Sequence, residues 1–199
     1  MCVPAGAQLP DLPLSGPVPT GQRGIVTAED GGQNAAYEVT PDRRSGTGIL
    51  VLPDIRGLSP FYEHLACAMA AESRHALVID YYGRTAGVEP RPEDWDTWDD
   101  DLDATSPAQI TLDVRAGLAR LRDLGAERTF VLGFCFGGGM VFRHVDQDLG
   151  VSGMMAVYGM AREWEQYPRH TATSLEPRPQ WWRSSVARID RFREKRLAP

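Results

Sequence analysis

Four short aliphatic runs, spaced so that an amphipathic stretch fits between them, set the strongest constraint on this chain of 199 residues. The runs are 48–52 (GILVL), 76–79 (ALVI), 129–132 (TFVL) and 153–158 (GMMAVY). Each has the length and composition of a buried strand. After the first, Ser59-Pro60 reads as an N-cap followed by proline at the first helical position. A helix is predicted from there to about Ser73, with Phe61, Leu65 and Met69 on one face. Ser106-Pro107-Ala108-Gln109 reads as a capping box. The helix behind it carries Ile110, Val114, Leu118 and Leu121 at helical spacing, and Gly125 suits its C-cap. Another helix is predicted from about Gly137 to Asp148. Earlier in the chain, 24–28 (GIVTA) and 35–39 (AAYEV) flank Asp30-Gly31-Gly32 and predict a hairpin. Residues 83–105 read as a long polar loop rich in Asp, Pro and Trp. The alternation implies an α/β fold, a mostly parallel sheet with helices on both faces. Ligands in such folds bind beyond the carboxyl ends of the strands. Asp54, the Tyr81-to-Arg84 stretch and Cys135 all fall there.

Composition narrows the setting. The length suits one core, and 42% apolar with 24% charged residues is ordinary for a globular protein. The domain boundaries expected are a Pro-rich lead-in at 1–22, an α/β domain at 23–159 and a tail at 160–199. The lead-in lacks the basic and apolar regions of a signal peptide, and no 18-residue apolar run predicts a transmembrane helix. Cys2, Cys67 and Cys135 are far apart with no C-x-x-C pair, which argues against a disulfide framework and a zinc site. Reduced thiols in a cytoplasmic protein fit best, and no metal or cofactor is expected. Residues 1–159 hold 12 basic and 22 acidic residues, against 9 and 5 in 160–199. So acidic a body argues against nucleic-acid binding. The run Glu93 to Asp101 lacks the glycine and oxygen spacing of a calcium loop and reads as a solvated approach to a helix.

Gly133-Phe134-Cys135-Phe136-Gly137 follows a strand and opens a helix. This is the G-x-nucleophile-x-G elbow with cysteine as the nucleophile, a turn so sharp that small residues are needed on either side. The helix N-terminus beneath favours a thiolate. Phe136 N–H then points where an oxyanion would form. A buried structural cysteine beside a Gly-rich turn is the bland alternative. The second oxyanion donor should come from Pro53-Asp54-Ile55-Arg56-Gly57, with Ile55 N–H the candidate. Asp54 reads equally as a partner of the thiol or as a turn carboxylate. His64, His75 and His144 read as surface or packing residues.

Three stretches together resemble the dienelactone hydrolase family of α/β-hydrolases: Leu52-Pro53-Asp54-Ile55-Arg56-Gly57, Ile79-Asp80-Tyr81-Tyr82-Gly83-Arg84 and Gly133-Phe134-Cys135-Phe136-Gly137-Gly138. The likeness spans roughly residues 20–159. It implies an ester or lactone hydrolase that works through an acyl-thioenzyme on a small-molecule substrate. Cys135 would be the nucleophile, and Ile55 and Phe136 the oxyanion-hole amides. Asp54 falls where the family often has a glutamate that contacts the resting thiol. Arg84 matches an arginine that helps bind a substrate carboxylate, and Tyr82 lies beside it as a further substrate-binding candidate.

The pattern breaks after Gly159. A triad in this fold runs nucleophile, acid, histidine in chain order. Residues 160–199 hold only six Val, Ile, Leu, Met or Phe residues, and His170 is their one histidine. The tail is a diverged extension or a GC-rich gene read out of frame, and its surge of Arg, Pro and Trp favours the second. On either account the hydrolase fold is C-terminally incomplete and turnover is expected to be impaired. The 153–158 strand is expected to be left as an exposed edge that favours self-association. A non-catalytic relic and a thiol-based sensor or binding protein on the same fold are the alternatives.

Overall fold

Gly31, at φ +83, and Gly32 reverse the chain between β1 (Gln22–Thr27) and β2 (Gln33–Val39). The two strands pair antiparallel with Ile25 opposite Ala35, which is the predicted hairpin. These features belong to a computed structural model that describes residues 3–159, apart from 5, 93, 94, 96, 97 and 146. The tail from residue 160, with His170 and the expected break in the fold, lies outside the described residues, as does Cys2.

The remaining described elements are β3 (Thr47–Leu52), α1 (Pro60–Ala71), β4 (His75–Ile79), α2 (Trp98–Ala104), α3 (Pro107–Asp123), β5 (Arg128–Phe134), α4 (Phe136–His144) and β6 (Gly153–Val157). The sheet order is β1-β2-β4-β3-β5-β6. β4, β3, β5 and β6 run parallel, and β2 joins β4 antiparallel. The fold is therefore α/β with a mixed, mostly parallel sheet.

Period-two alternation splits the strand side chains between two helical layers. Tyr37, Val39, Val51, Ala76 and Val78 pack on one face with Tyr62, Ala66 and Ala70 of α1. Leu50 and Ile79 point the other way, toward α3. There Gly117 leaves so little room that a Cβ would come 2.8 Å from Leu50 Cδ1. α4 shares this second face, because Thr111 Oγ1 of α3 lies 2.9 Å from His144 Nε2. His144 Nδ1–H donates to the Met140 carbonyl at 2.6 Å, so this histidine is a buried packing residue.

The connections diverge at the centre of the sheet. From β3 the chain moves to β4 on one side, and from β5 it moves to β6 on the other. β3 and β5 are themselves neighbours, with Leu52 opposite Gly133. A crevice beyond adjacent strands whose connections part in this way is where open α/β sheets bind ligands. The 53–57 loop and Cys135 flank that crevice.

Three expectations need correction. Ser59 and Ser106 occupy the N-cap positions in extended backbone but make no side-chain cap bond, so there is no capping box. Extended caps and a proline with no amide to satisfy suffice to start both helices. The 83–105 segment contains α2, whose residues are all exposed or half-buried; it has no apolar stripe to read. α4 ends at His144 rather than near Asp148. Beyond it, Arg122 Nη2 donates to the Leu149 and Gly150 carbonyls, drawing the chain off toward α3.

His75 opens β4 fully buried, and neither ring nitrogen has a hydrogen-bond partner. Burial, with Arg44 nearby, lowers its pKa from the usual 6.5. The unfolded chain therefore takes up a proton at a pH where the folded chain refuses it. Stability is complete above about pH 6.5 and falls as pH drops toward the depressed folded value. His75→Leu should flatten the Tm profile between neutral pH and the carboxylate range; an unchanged slope there would assign the sensitivity elsewhere.

Candidate active site

β5 stops at Phe134 because Cys135 turns to φ 50, ψ −108, a region that side chains other than glycine rarely occupy. α4 begins one residue later. The glycines around the turn are sterically required. A Cβ on Gly133 would lie 2.2 Å from the Gly137 oxygen, and one on Gly137 would lie 2.2 Å from the Leu52 oxygen. Beyond the elbow, a Cβ on Gly138 would meet Gly159 Cα at 2.8 Å. The turn is held from both flanks: Cys135 N–H donates to the Val157 carbonyl and Gly137 N–H to the Pro53 carbonyl, each at 3.0 Å. The thiol at this turn is partly exposed. Cys67, by contrast, is buried in α1 with Sγ 3.5 Å from Tyr37 Oη, and burial together with that contact pushes the Tyr37 phenol up to about 12.

Across the crevice, Asp54 is fully buried at the carboxyl end of β3. Its N–H donates to Tyr62 Oη at 3.1 Å, and its carbonyl accepts from Tyr81 Oη. Its carboxylate accepts Arg56 N–H at 2.9 Å and, from the lead-in, Val3 N–H at 2.7 Å. These are the bonds of a turn carboxylate, and they keep the 53–57 loop tight. Ile55 is half-buried in that loop, and its N–H donates to nothing among the described residues. Phe136, buried, opens α4 with its ring centroid 4.8 Å from that of Tyr81.

Two residues expected to touch substrate are engaged elsewhere. The resemblance puts Arg84 on a substrate carboxylate; in the structure its guanidinium pairs with carboxylates of the chain itself. It bonds Asp113 through Nε at 3.1 Å and Nη2 at 2.7 Å, and Asp30 through Nη1 at 2.9 Å and Nη2 at 2.8 Å. Burial holds the Asp113 carboxyl above its usual range despite Arg84, whereas exposed Asp30 is held below it by Arg84. The triad ties the hairpin tip to α3. Arg84→Ala would leave Asp113 buried and unpaired, so we expect a loss of about 3 kcal/mol in denaturant unfolding; a change under about 1 kcal/mol would mean that water replaces the pair. Tyr82 is fully buried, and its hydroxyl has no hydrogen-bond partner among the described residues.

Sequence reasoning missed the pair that braces this end of the sheet. Asp80, at the end of β4, accepts Tyr82 N–H at 3.0 Å, Leu58 N–H at 3.2 Å and an ion pair from Arg91 Nη2. Burial raises the Asp80 pKa, with Arg91 opposing. The Arg91 guanidinium lies 4.4 Å from the Trp95 ring centroid and 5.6 Å from that of Tyr82. Gly57, at φ +70, lets the loop pass: a Cβ there would come 2.6 Å from Arg91 Nη2. An aspartate closing an all-apolar strand was the available signal for Asp80; for Arg91 there was none. Among the described residues no group of three or more His, Cys, Asp or Glu is arranged to hold a metal, and no helix is long and apolar enough to cross a membrane.

A strand-elbow-helix cysteine facing a tight loop at the switch point is a recurrent design, and comparison with known proteins decides which version this is. The dienelactone hydrolase family model matches residues 35–176. The chain belongs to the dienelactone hydrolase family. A carboxymethylenebutenolidase of Rhodococcus opacus is 38% identical over an alignment of 104 residues that covers 49% of this chain and 37% of that protein. The fold resembles a solved Klebsiella pneumoniae subsp. pneumoniae MGH 78578 protein described as a dienelactone hydrolase (TM-score 0.57, 21% identity, 71% of this chain and 61% of the other). It also resembles an α/β hydrolase from Penicillium sp. sh18 (TM-score 0.55, 16% identity, 70% and 46%). The chain thus spans 37% of the curated relative and 61% and 46% of the two solved chains.

Proposed function

We propose that this dienelactone hydrolase family chain carries the nucleophile half of a carboxyl-ester or lactone hydrolase, with Cys135 as the attacking group. Cys135 Sγ would add to the substrate carbonyl carbon. The C–O bond to the alcohol would break, the alcohol leaving with the electron pair and a proton, and an acyl-thioenzyme would remain for water to cleave. Ile55 N–H and Phe136 N–H are the proposed oxyanion donors. The observation that carries the reading is the backbone of Cys135: φ 50 in a turn where glycine is required on both sides, set at the switch point of the sheet. A cysteine kept only for packing needs no such turn, and Cys67 illustrates the ordinary case. Asp54 supports the reading as a rigid bracket for the Ile55 loop rather than as a base.

The proposed setting is a reduced, cytoplasmic thiol acting on a small ester or lactone without a cofactor. We also propose that β6, outermost among the described strands with Met155 63% exposed, favours self-association. Limiting iodoacetamide followed by peptide mapping tests the nucleophile: Cys135 should be labelled well ahead of Cys67. Preferential labelling of Cys67 would remove the basis for the assignment. Reversible peroxide sensitivity without any acylation would favour the thiol sensor.

A further inference from the structure

We propose that Tyr81 is a positioning residue for both oxyanion amides, holding Ile55 N–H through the Asp54 carbonyl and Phe136 through ring contact. The inference rests on the hydrolase reading above, since it concerns the same two amides. Tyr81 itself is 1% exposed and stays out of a substrate's reach.

The Asp54 carbonyl and the Ile55 N–H belong to one peptide plane and point in opposite directions across it. A donor fixed on the carbonyl oxygen therefore fixes where the N–H points. It also polarises the amide, which strengthens that N–H as a donor. Tyr81 Oη is placed for this. Its proton is shared between the Asp54 carbonyl and the Pro53 carbonyl, the latter at 2.7 Å. The Pro53 oxygen also accepts Gly137 N–H at 3.0 Å, from the first turn of α4. One hydroxyl thus sits at the joint between the loop that carries Ile55 and the helix that opens with Phe136. The ring of Tyr81 completes the bracket, tilted 42° against the Phe136 ring at 4.8 Å. Burial keeps the phenol protonated far above neutral pH, so the donor is always present. Tyr62 is its counterpart on the preceding peptide, where Oη accepts Asp54 N–H. That bond does not act on the Ile55 amide plane.

Two reactions of the same sulfur separate positioning of the oxyanion donors from general support. Acylation by p-nitrophenyl acetate builds negative charge on a carbonyl oxygen as p-nitrophenolate leaves. Alkylation by iodoacetamide displaces iodide from a saturated carbon and builds none there. Tyr81→Phe keeps the ring and removes the hydroxyl. Acylation should slow by about 10- to 100-fold, and alkylation should stay within about two-fold of the parent, since it needs no oxyanion donor. Tyr81→Leu should slow acylation further. An unchanged ratio in Tyr81→Phe overturns the inference, and so does a parallel fall in both rates, which is what a merely structural role gives. Should Tyr81→Phe fail to fold, Tyr81→3-fluorotyrosine carries the test. Its more acidic phenol should raise the ratio, and no change overturns the inference. If the parent chain is alkylated at Cys135 but never acylated, the hydrolase reading fails, and this inference fails with it.

Discussion

Mixed with a p-nitrophenyl ester, the purified chain is expected to release about one equivalent of p-nitrophenolate and then fall nearly silent. Cys135→Ala is expected to release none. A thiolate is nucleophilic enough to be acylated once without help, but cleaving the thioester requires a base to activate water. The described histidines are badly placed for that. His64 is exposed on α1, His75 lies at the amino end of β4, opposite the crevice, and His144 is held in α4 by the Met140 carbonyl and Thr111. Loss of a triad member commonly costs about four orders of magnitude in rate. Sustained, Cys135-dependent turnover would refute the expectation and direct attention to 160–199, with His170 the group to replace first.

The second large effect is structural. Gly137→Ala should abolish both the burst and most of the cooperative unfolding transition. Its Cβ would lie 2.2 Å from the Leu52 oxygen and 2.5 Å from the Pro53 oxygen. Both are backbone atoms of the central strand and its loop, so no rotamer change relieves the contact. Overpacking in a core costs roughly 1–3 kcal/mol when side chains can shift, and more when they cannot. The damage would fall on the bond from Gly137 N–H to Pro53, which joins α4 to the loop. Circular dichroism melting of the variant beside Cys135→Ala, which leaves the backbone alone, separates lost chemistry from lost fold. A Gly137→Ala protein that melts like the parent would mean that the elbow has slack.

Local pattern carried most of the architecture. Each aliphatic run became a strand; in β3 and β4 burial leaves little choice of residue, and Pro60 and Pro107 marked two helix starts that the structure keeps. The elbow was readable because its steric demand is written in glycines two residues either side of Cys135. What escaped was set by pairs distant in the chain. Arg84 meets Asp30 and Asp113, respectively 54 and 29 residues away, and neither spacing follows from periodicity. Val3 N–H on Asp54 spans 51 residues from a segment with no pattern of its own. α2 was missed for a different reason: WDDDLDA has only Trp98 and Leu102 as large apolar residues, too few to set a helical period.

The bracketing of Asp54 bears on when disorder is given up. Fixing one residue's backbone costs about 1–2 kcal/mol. A loop that stayed loose until a substrate arrived would charge that cost against every binding event. Here two tyrosine hydroxyls, the Arg56 amide and the lead-in amide of Val3, all groups of the chain itself, hold the residue. The entropy is surrendered once, during folding, so none of a ligand's affinity is diverted to arranging the place where it lands.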